Sequence, residues 1–266
     1  MIPIILAELR QRRWSMLWWT LGISAFLILT LAVYPSFRSQ APQLDASLQS
    51  IPKAARNLFT DTGNFLSPIG YLSSQVYYLL LPLLMSFLAI SLGSSLIARE
   101  EQQRTIELLL ARPVSRAALL CGKAIAGFIT LITVSAAVAA VASTAVGLIG
   151  FDGVRPQNVL LATLMCALLA LLCGTVAFTL TAIGRLGRGA SIGVAVLVAL
   201  GGYIVSSLDG MAPWLRWAAQ LLPFHYYHPA EILGGHFAAG PAAGMAAAVC
   251  ALMLIAWAAF RRRDIA

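Results

Sequence analysis

The sequence predicts an all-α integral membrane protein with six transmembrane helices, and three observations lead there. Of its 266 residues 60% are hydrophobic and only 11% charged, where a soluble domain carries about 25% charged residues; mean hydropathy is +0.85. The apolar residues gather in continuous runs rich in Ala, Leu and Val, and a run of about 20 such residues crosses a bilayer as a helix. Strand-like alternation is absent from these runs. In lipid the backbone must then satisfy itself within helices, because the only other solution is a closed barrel.

The runs cover roughly 15–35, 69–98, 118–150, 157–183, 189–208 and 239–260, and together they make one transmembrane domain over residues 1–266. The second and third are long enough to tilt or to continue past the membrane surface. Ahead of the first, Ile2, Ile5, Leu6 and Leu9 recur at i, i+3, i+4 and i+7, with Glu8, Arg10 and Gln11 off that face. This pattern fits either a short N-terminal interfacial helix or the leading edge of the first span. Arg10, Arg12 and Arg13 precede that span and no small-residue cleavage site follows a short apolar core, so the first span is expected to be kept rather than removed as a signal.

Residues 36–68 form the first long loop. Leu44, Leu48, Ile51, Ala55 and Leu58 keep a helical period there, interrupted by Pro52, so a broken surface helix is expected. The second long loop, 209–238, holds Trp214, Trp217, Phe224, Tyr226 and Tyr227, an aromatic density suited to the bilayer interface. One or two short re-entrant helices before the last span would bury it. The connector 184–188 is so short that spans four and five must be antiparallel neighbours. Small-residue pairs such as Gly189/Gly193 and Gly240/Gly244 could permit close helix contact.

Charge placement sets the orientation. The N-terminus, residues 99–123, residues 184–188 and the C-terminus hold 3, 5, 2 and 3 Lys/Arg, 13 in all. Arg38, Lys53, Arg56, Arg155 and Arg216 make five on the other side, spread over longer loops. By the positive-inside tendency both termini are cytoplasmic. The net charge of +8 therefore belongs to the membrane surface and not to nucleic acid, and Arg261, Arg262 and Arg263 anchor the last span.

Much chemistry is excluded. There is no G-x-x-x-x-G-K-[ST] phosphate loop, no dinucleotide fingerprint and no H-E-x-x-H pair. His225, His228 and His236 could hold a metal, but Glu231 is the sole acidic residue near them in sequence; no metal ligand is assigned. Cys121, Cys166, Cys173 and Cys250 fall in or beside spans, as small packing residues do. The apolar cores of the spans hold no Asp, Glu, Lys or Arg, whereas ion-coupled transporters keep ionisable groups at membrane depth. Gln75, Tyr77 and Tyr78 are the most polar features inside a span; they either line a substrate path or bond a neighbouring backbone.

One connector stands apart. Residues 99–116, REEQQRTIELLLARPVSR, hold seven of the 28 charged residues. From Glu100 to Ala111 they suit a helix, with Glu100, Arg104 and Glu107 on one face and Ile106, Leu109 and Leu110 opposite. Pro113 turns Arg112 away from helical geometry, and Ser115 is placed to cap the helix that follows. Such a segment is either a solvated connector held by its own salt bridges or, since its apolar face needs cover, a helix on the cytoplasmic membrane surface that offers a polar back to a soluble partner.

Followed by Gly122 and Lys123, this segment resembles the intracellular segment of ABC transporter permeases of the ABC-2 type. That family's pattern runs through a Glu-rich stretch, Gly-Thr, Glu-Leu-Leu-Leu, Pro-[VI]-Ser-Arg and Gly-Lys. Thr105, Glu107, Leu108, Leu109, Leu110, Pro113, Ser115, Arg116, Gly122 and Lys123 match it, and Arg104 stands where glycine is usual. The resemblance implies a cytoplasmic coupling helix that docks in a groove of a separate ATPase subunit. The coupling residues would be Glu100, Glu101, Arg104, Thr105, Glu107, Leu108, Leu109, Arg112, Pro113 and Arg116. It further implies a multi-pass protein of the plasma (inner) membrane, two ATPase copies, and a second permease, identical or paralogous. ATP and Mg would be bound by the ATPase and no cofactor by this chain, which is then no enzyme by itself. An exporter of an amphipathic or hydrophobic substrate fits the charge-poor spans. The rival readings are an ion-coupled secondary transporter or channel, which needs no second protein, and a membrane enzyme built on the three histidines.

Overall fold

The structure, a computed structural model, describes residues 2–39, 67–102, 116–151, 153–184, 187–209 and 213–262. Helices make up nearly all of these residues and no strand occurs among them. Six helical segments are long and apolar enough to cross a membrane.

Helix α1 runs from Ile2 to Ser39 without interruption. The separate interfacial helix expected at the N-terminus is therefore corrected: those residues are the leading edge of the first span. The physical reason is the lack of a terminator, since neither proline nor glycine occurs between Pro3 and Gly22. A helix of 38 residues is about 57 Å long at about 1.5 Å per residue. It thus outruns a hydrocarbon layer of about 30 Å.

The second span is built in three pieces. Helix α2, Pro68–Leu72, starts where the Ser67 hydroxyl accepts from the Gly70 N–H at 2.9 Å, with Pro68 in the first turn. A π-helical turn, Ser73–Tyr77, follows, in which the Tyr78 N–H reaches back five residues to the Ser73 carbonyl at 2.7 Å. Helix α3 then runs from Leu80 to Gln102. Pro82 has no N–H to give the Tyr78 carbonyl and its ring crowds that oxygen, so the ladder is irregular just there.

Helix α4, Arg116–Ile149, is the third span. The fourth is α5, Pro156–Ile183, which opens on Pro156 and stops at Gly184. Gly184 takes φ 73°, a left-handed conformation that glycine adopts without steric cost. The fifth span comprises α6, Arg188–Val196, a π-helical turn Leu197–Gly201, and α7, Gly202–Ser207. Then come α8, Pro213–Gln220, a 3-10 turn at Pro223–Tyr226, and α9, Pro229–Leu233. The last span is α10, Ala239–Arg262. The broken surface helix expected within 36–68 falls on residues 40–66, outside the described residues.

Crossing six times places Ile2, Gln102, Arg116, Ile183, Arg188 and Arg262 at one end of the bundle, here the terminal end. Within it α5 is central, packed against α3, α4, α6, α9 and α10, while α1 lies along α4. The most apolar window of α5 is 67% buried, and those of α1 and α10 only 17%. The outer faces of α1 and α10, with Trp18, Leu29 and Leu254 exposed, are suited to lipid.

Lipid tails are as apolar as leucine, so burial alone does not draw helices together in a membrane; close packing and hydrogen bonds do. The closest packing lies between α3 and α5. A Cβ on Gly93 would strike the Gly174 carbonyl oxygen, and one on Gly174 would lie 2.7 Å from the Ala89 carbonyl oxygen. The close contact that Gly189/Gly193 and Gly240/Gly244 could permit is not made among the described residues: none of their atoms lies within 4 Å of a Cβ at any of the four.

Candidate functional site

The site begins with the two helix ends that bear the charged connector. Helix α3 ends at Gln102 and α4 starts at Arg116, which leaves residues 103–115 between them. Glu100 and Glu101 continue the last turn of α3, and Arg116 is the first residue of α4. Arg104, Thr105, Glu107, Leu108, Leu109, Arg112 and Pro113 lie outside the described residues, as does Ser115.

Beneath these ends sits a polar cluster that the sequence reading did not assemble. Glu8 of α1 accepts from Arg12 Nε at 2.6 Å through Oε1 and from Lys123 Nζ at 3.5 Å through Oε2. Arg12 Nη2 also donates to Ser95 Oγ at 3.0 Å. Glu8 is 8% and Lys123 3% exposed. Breaking such a buried ionic contact is costly from either side, because both charges are held away from water. The expected absence of charge from the span interiors thus fails at one place, where Lys123 lies about two turns inside α4. The signal for it was Lys123 itself, the one charge beyond the start of the third apolar run.

An apolar cluster completes the support. Leu96 of α3, Leu120 of α4, Phe178 and Ala182 of α5, and Ala256 and Phe260 of α10 are all buried together. At the edge of α10, Arg261 stacks over the Trp257 ring at 4.7 Å, in a cation–π contact. The connector therefore springs from two helix ends held by ionic contacts to α1 and by apolar packing to α5 and α10.

The candidate path residues do not act alike. Tyr77 is fully buried; its hydroxyl lies 2.9 Å from Thr163 Oγ1 and 3.5 Å from the Val159 carbonyl oxygen. Its hydroxyl thus bonds the neighbouring α5. Tyr78 is half-buried and donates to Ser207 Oγ at 3.0 Å, and its ring meets that of Tyr203 at 5.8 Å. Gln75 is half-buried within the π-helical turn.

The far end of the bundle shows how the aromatic loop is seated. Phe224, Tyr227, Ile232 and Leu233 are buried, and Asn158 Nδ2 donates to the Leu233 carbonyl at 3.0 Å. Trp214 and Trp217 stay 70% exposed. His225 Nδ1 lies 3.5 Å from Asp209 Oδ2, an acidic neighbour 16 residues away that local sequence did not suggest. Its ring is 6.5 Å from that of His228. No group of three His, Cys, Asp or Glu arranged for a metal occurs among the described residues. All four cysteines are free.

The sequence profile of the family described as ABC-2 family transporter protein matches residues 2–261. The chain belongs to that family. No curated protein matches it. This ABC-2 permease is a multi-pass membrane protein and a transport component. Its family normally works with an ATPase partner and sits in a lipid bilayer.

Proposed function

We propose that this ABC-2 permease is the membrane half of an ATP-driven exporter, energised by a cytoplasmic ATPase that docks on residues 99–116. The observation that carries the reading is the pairing of a charged, motif-bearing connector with buttressed helix ends at Gln102 and Arg116. The buried Glu8–Lys123 contact beneath the connector supports a segment that receives force over a merely solvated linker. Two ATPases, binding ATP and Mg, would serve two permeases, identical or paralogous. Both termini face the cytoplasm of a plasma membrane, as the 13-to-5 Lys/Arg asymmetry favours. An amphipathic or apolar substrate suits spans whose interior polar groups are chiefly hydroxyls such as Thr163, Thr175 and Thr179.

Affinity purification of the tagged chain in mild detergent tests this directly. An ATPase with a phosphate loop is expected to co-purify, and the chain alone is expected to hydrolyse no ATP. Gradient-driven transport by the chain alone, with no ATPase bound, would reject the reading.

A further inference from the structure

The polar cluster at the terminal end is more than one contact. Its carboxylate belongs to α1, its lysine to α4, and Arg12 of α1 reaches Ser95 of α3. Ser95 lies seven residues before Gln102 and Lys123 seven after Arg116. Both therefore sit about two turns, about 10 Å, from the ends that bear the connector. Arg12 and Glu8 are four apart on one helix and ride together. The contacts that can break when helices shift are those to Lys123 and Ser95.

The placement matters because α1 meets the rest of the bundle almost entirely through α4. Its apolar window is only 17% buried, and it lies chiefly along α4. Side-chain ties at the opposite end come from Tyr71, whose hydroxyl donates to the Thr30 carbonyl at 2.8 Å, and from Tyr34 stacked on Phe151 at 4.2 Å. Charges with 8% and 3% exposure interact across a medium far less polarisable than water and are little screened by salt. Desolvating them is costly, and plain anchoring in lipid is available from hydroxyl and apolar contacts at lower cost.

We propose that Glu8 is a positioning residue for coupling: its carboxylate fastens α1 to the connector-bearing end of α4, so that α1 is displaced together with the connector when the ATPase moves. This rests on the ATPase docking at 99–116 given above. Lys123 is the receiving group, and the Arg12–Ser95 bond keeps α3 in the same unit. A displacement that enters at the connector then reaches α1, whose apolar stretch is only 17% buried, instead of being absorbed between α4 and α1.

The test uses the complex as purified with its ATPase, spin-labelled at Leu17 of α1 and Leu164 of α5, which are 52% and 43% exposed. Pulsed electron resonance reads their separation without nucleotide and with ATP and vanadate. The wild-type separation is expected to change by about 2 Å or more, the scale of helix shifts in switching proteins. Glu8→Lys, which gathers three cations, should abolish the change with the ATPase still bound. The double variant Glu8→Lys/Lys123→Glu, which returns one carboxylate between two cations, should restore it. Should Glu8→Lys fail to insert, Glu8→Gln reads the same loss by removing the charge alone. An unaltered change in Glu8→Gln or Glu8→Lys, a double variant that stays silent, or a wild-type complex with no change overturns the proposal while ATPase co-purification leaves the docking intact. Failure of any ATPase to bind the wild-type chain removes the docking, and the proposal with it.

Discussion

Alanine at position 174 puts the central helix contact to the test. Its Cβ would lie 2.7 Å from the Ala89 carbonyl oxygen and 2.8 Å from both the Ala89 carbonyl carbon and Cβ. Two of these three atoms are backbone, so no rotamer change relieves them. To reach the 3.4 Å of ordinary contact, α5 and α3 must part by about 0.7 Å, and a gap of that size forfeits a quarter to a half of each neighbouring dispersion contact. Overpacking of this kind costs about 1–3 kcal/mol. At about 2–4 °C per kcal/mol for a chain of this size, the midpoint of thermal unfolding in detergent should fall by about 2–12 °C. Two controls bracket the effect. Gly127→Ala meets only the Leu96 Cδ1 at 2.9 Å, a side-chain tip that can turn away, and should lose less. Gly193→Ala meets nothing within 4 Å and should be neutral or gain slightly from helix propensity. A Gly174→Ala protein that melts at or above the wild type would refute the reasoning.

The remaining predictions concern the interior tie, the connector and the topology. Tyr77→Phe should cost about 1 kcal/mol in the same melting assay, because Thr163 keeps its 2.9 Å bond to the Val159 carbonyl; Tyr77→Ala should cost about 3–5 kcal/mol by leaving a cavity. Glu107→Lys should insert normally yet lose ATPase co-purification, and Leu109→Asp should do more harm by charging the face that must be covered; normal co-purification by both would remove the connector's docking role. With the native cysteines replaced, single cysteines at Ser47 and Gln220 should react with an impermeant thiol reagent in intact cells, and one at Gln102 only after permeabilisation. Reaction at all three in intact cells would overturn the assigned orientation.

The spans were legible because length and continuous apolarity are local properties. Pro68, Pro156 and Gly184 fall at the helix ends that resulted, where their backbone chemistry suits them. What stayed hidden depends on partners distant in sequence. Glu8 and Lys123 are 115 residues apart, and nothing beside Glu8 distinguishes it from a solvated acid on an amphipathic helix. Among 21 glycines, sequence spacing drew attention to pairs within one helix, whereas the contact pairs Gly93 with Gly174 across two. The π-helical turns were equally invisible, since no residue pattern announces that the Tyr78 N–H reaches back five residues. For the candidate site, the motif in 99–116 was plain in the sequence, while the support beneath it emerged only once α1, α3 and α4 were side by side.

The π-helical turn at Ser73–Tyr77 also separates the rotational phases of the two halves of the second span. Below it, the angular setting of α3 is fixed by Gly93 against Gly174; above it, that of α2 is fixed by Tyr71 reaching the Thr30 carbonyl. A regular α-helix would impose a single phase on both, about 100° per residue from one end to the other. The wider turn takes up one residue more, so each half can face its own neighbour without twisting the other. Span length here is therefore not interchangeable residue for residue. Deleting one residue between 73 and 77 would let the wide turn close to an ordinary α-turn with Tyr71 still facing α1, whereas deleting one between 83 and 92 would leave the span long enough to cross yet turn Tyr71 about 100° away from α1.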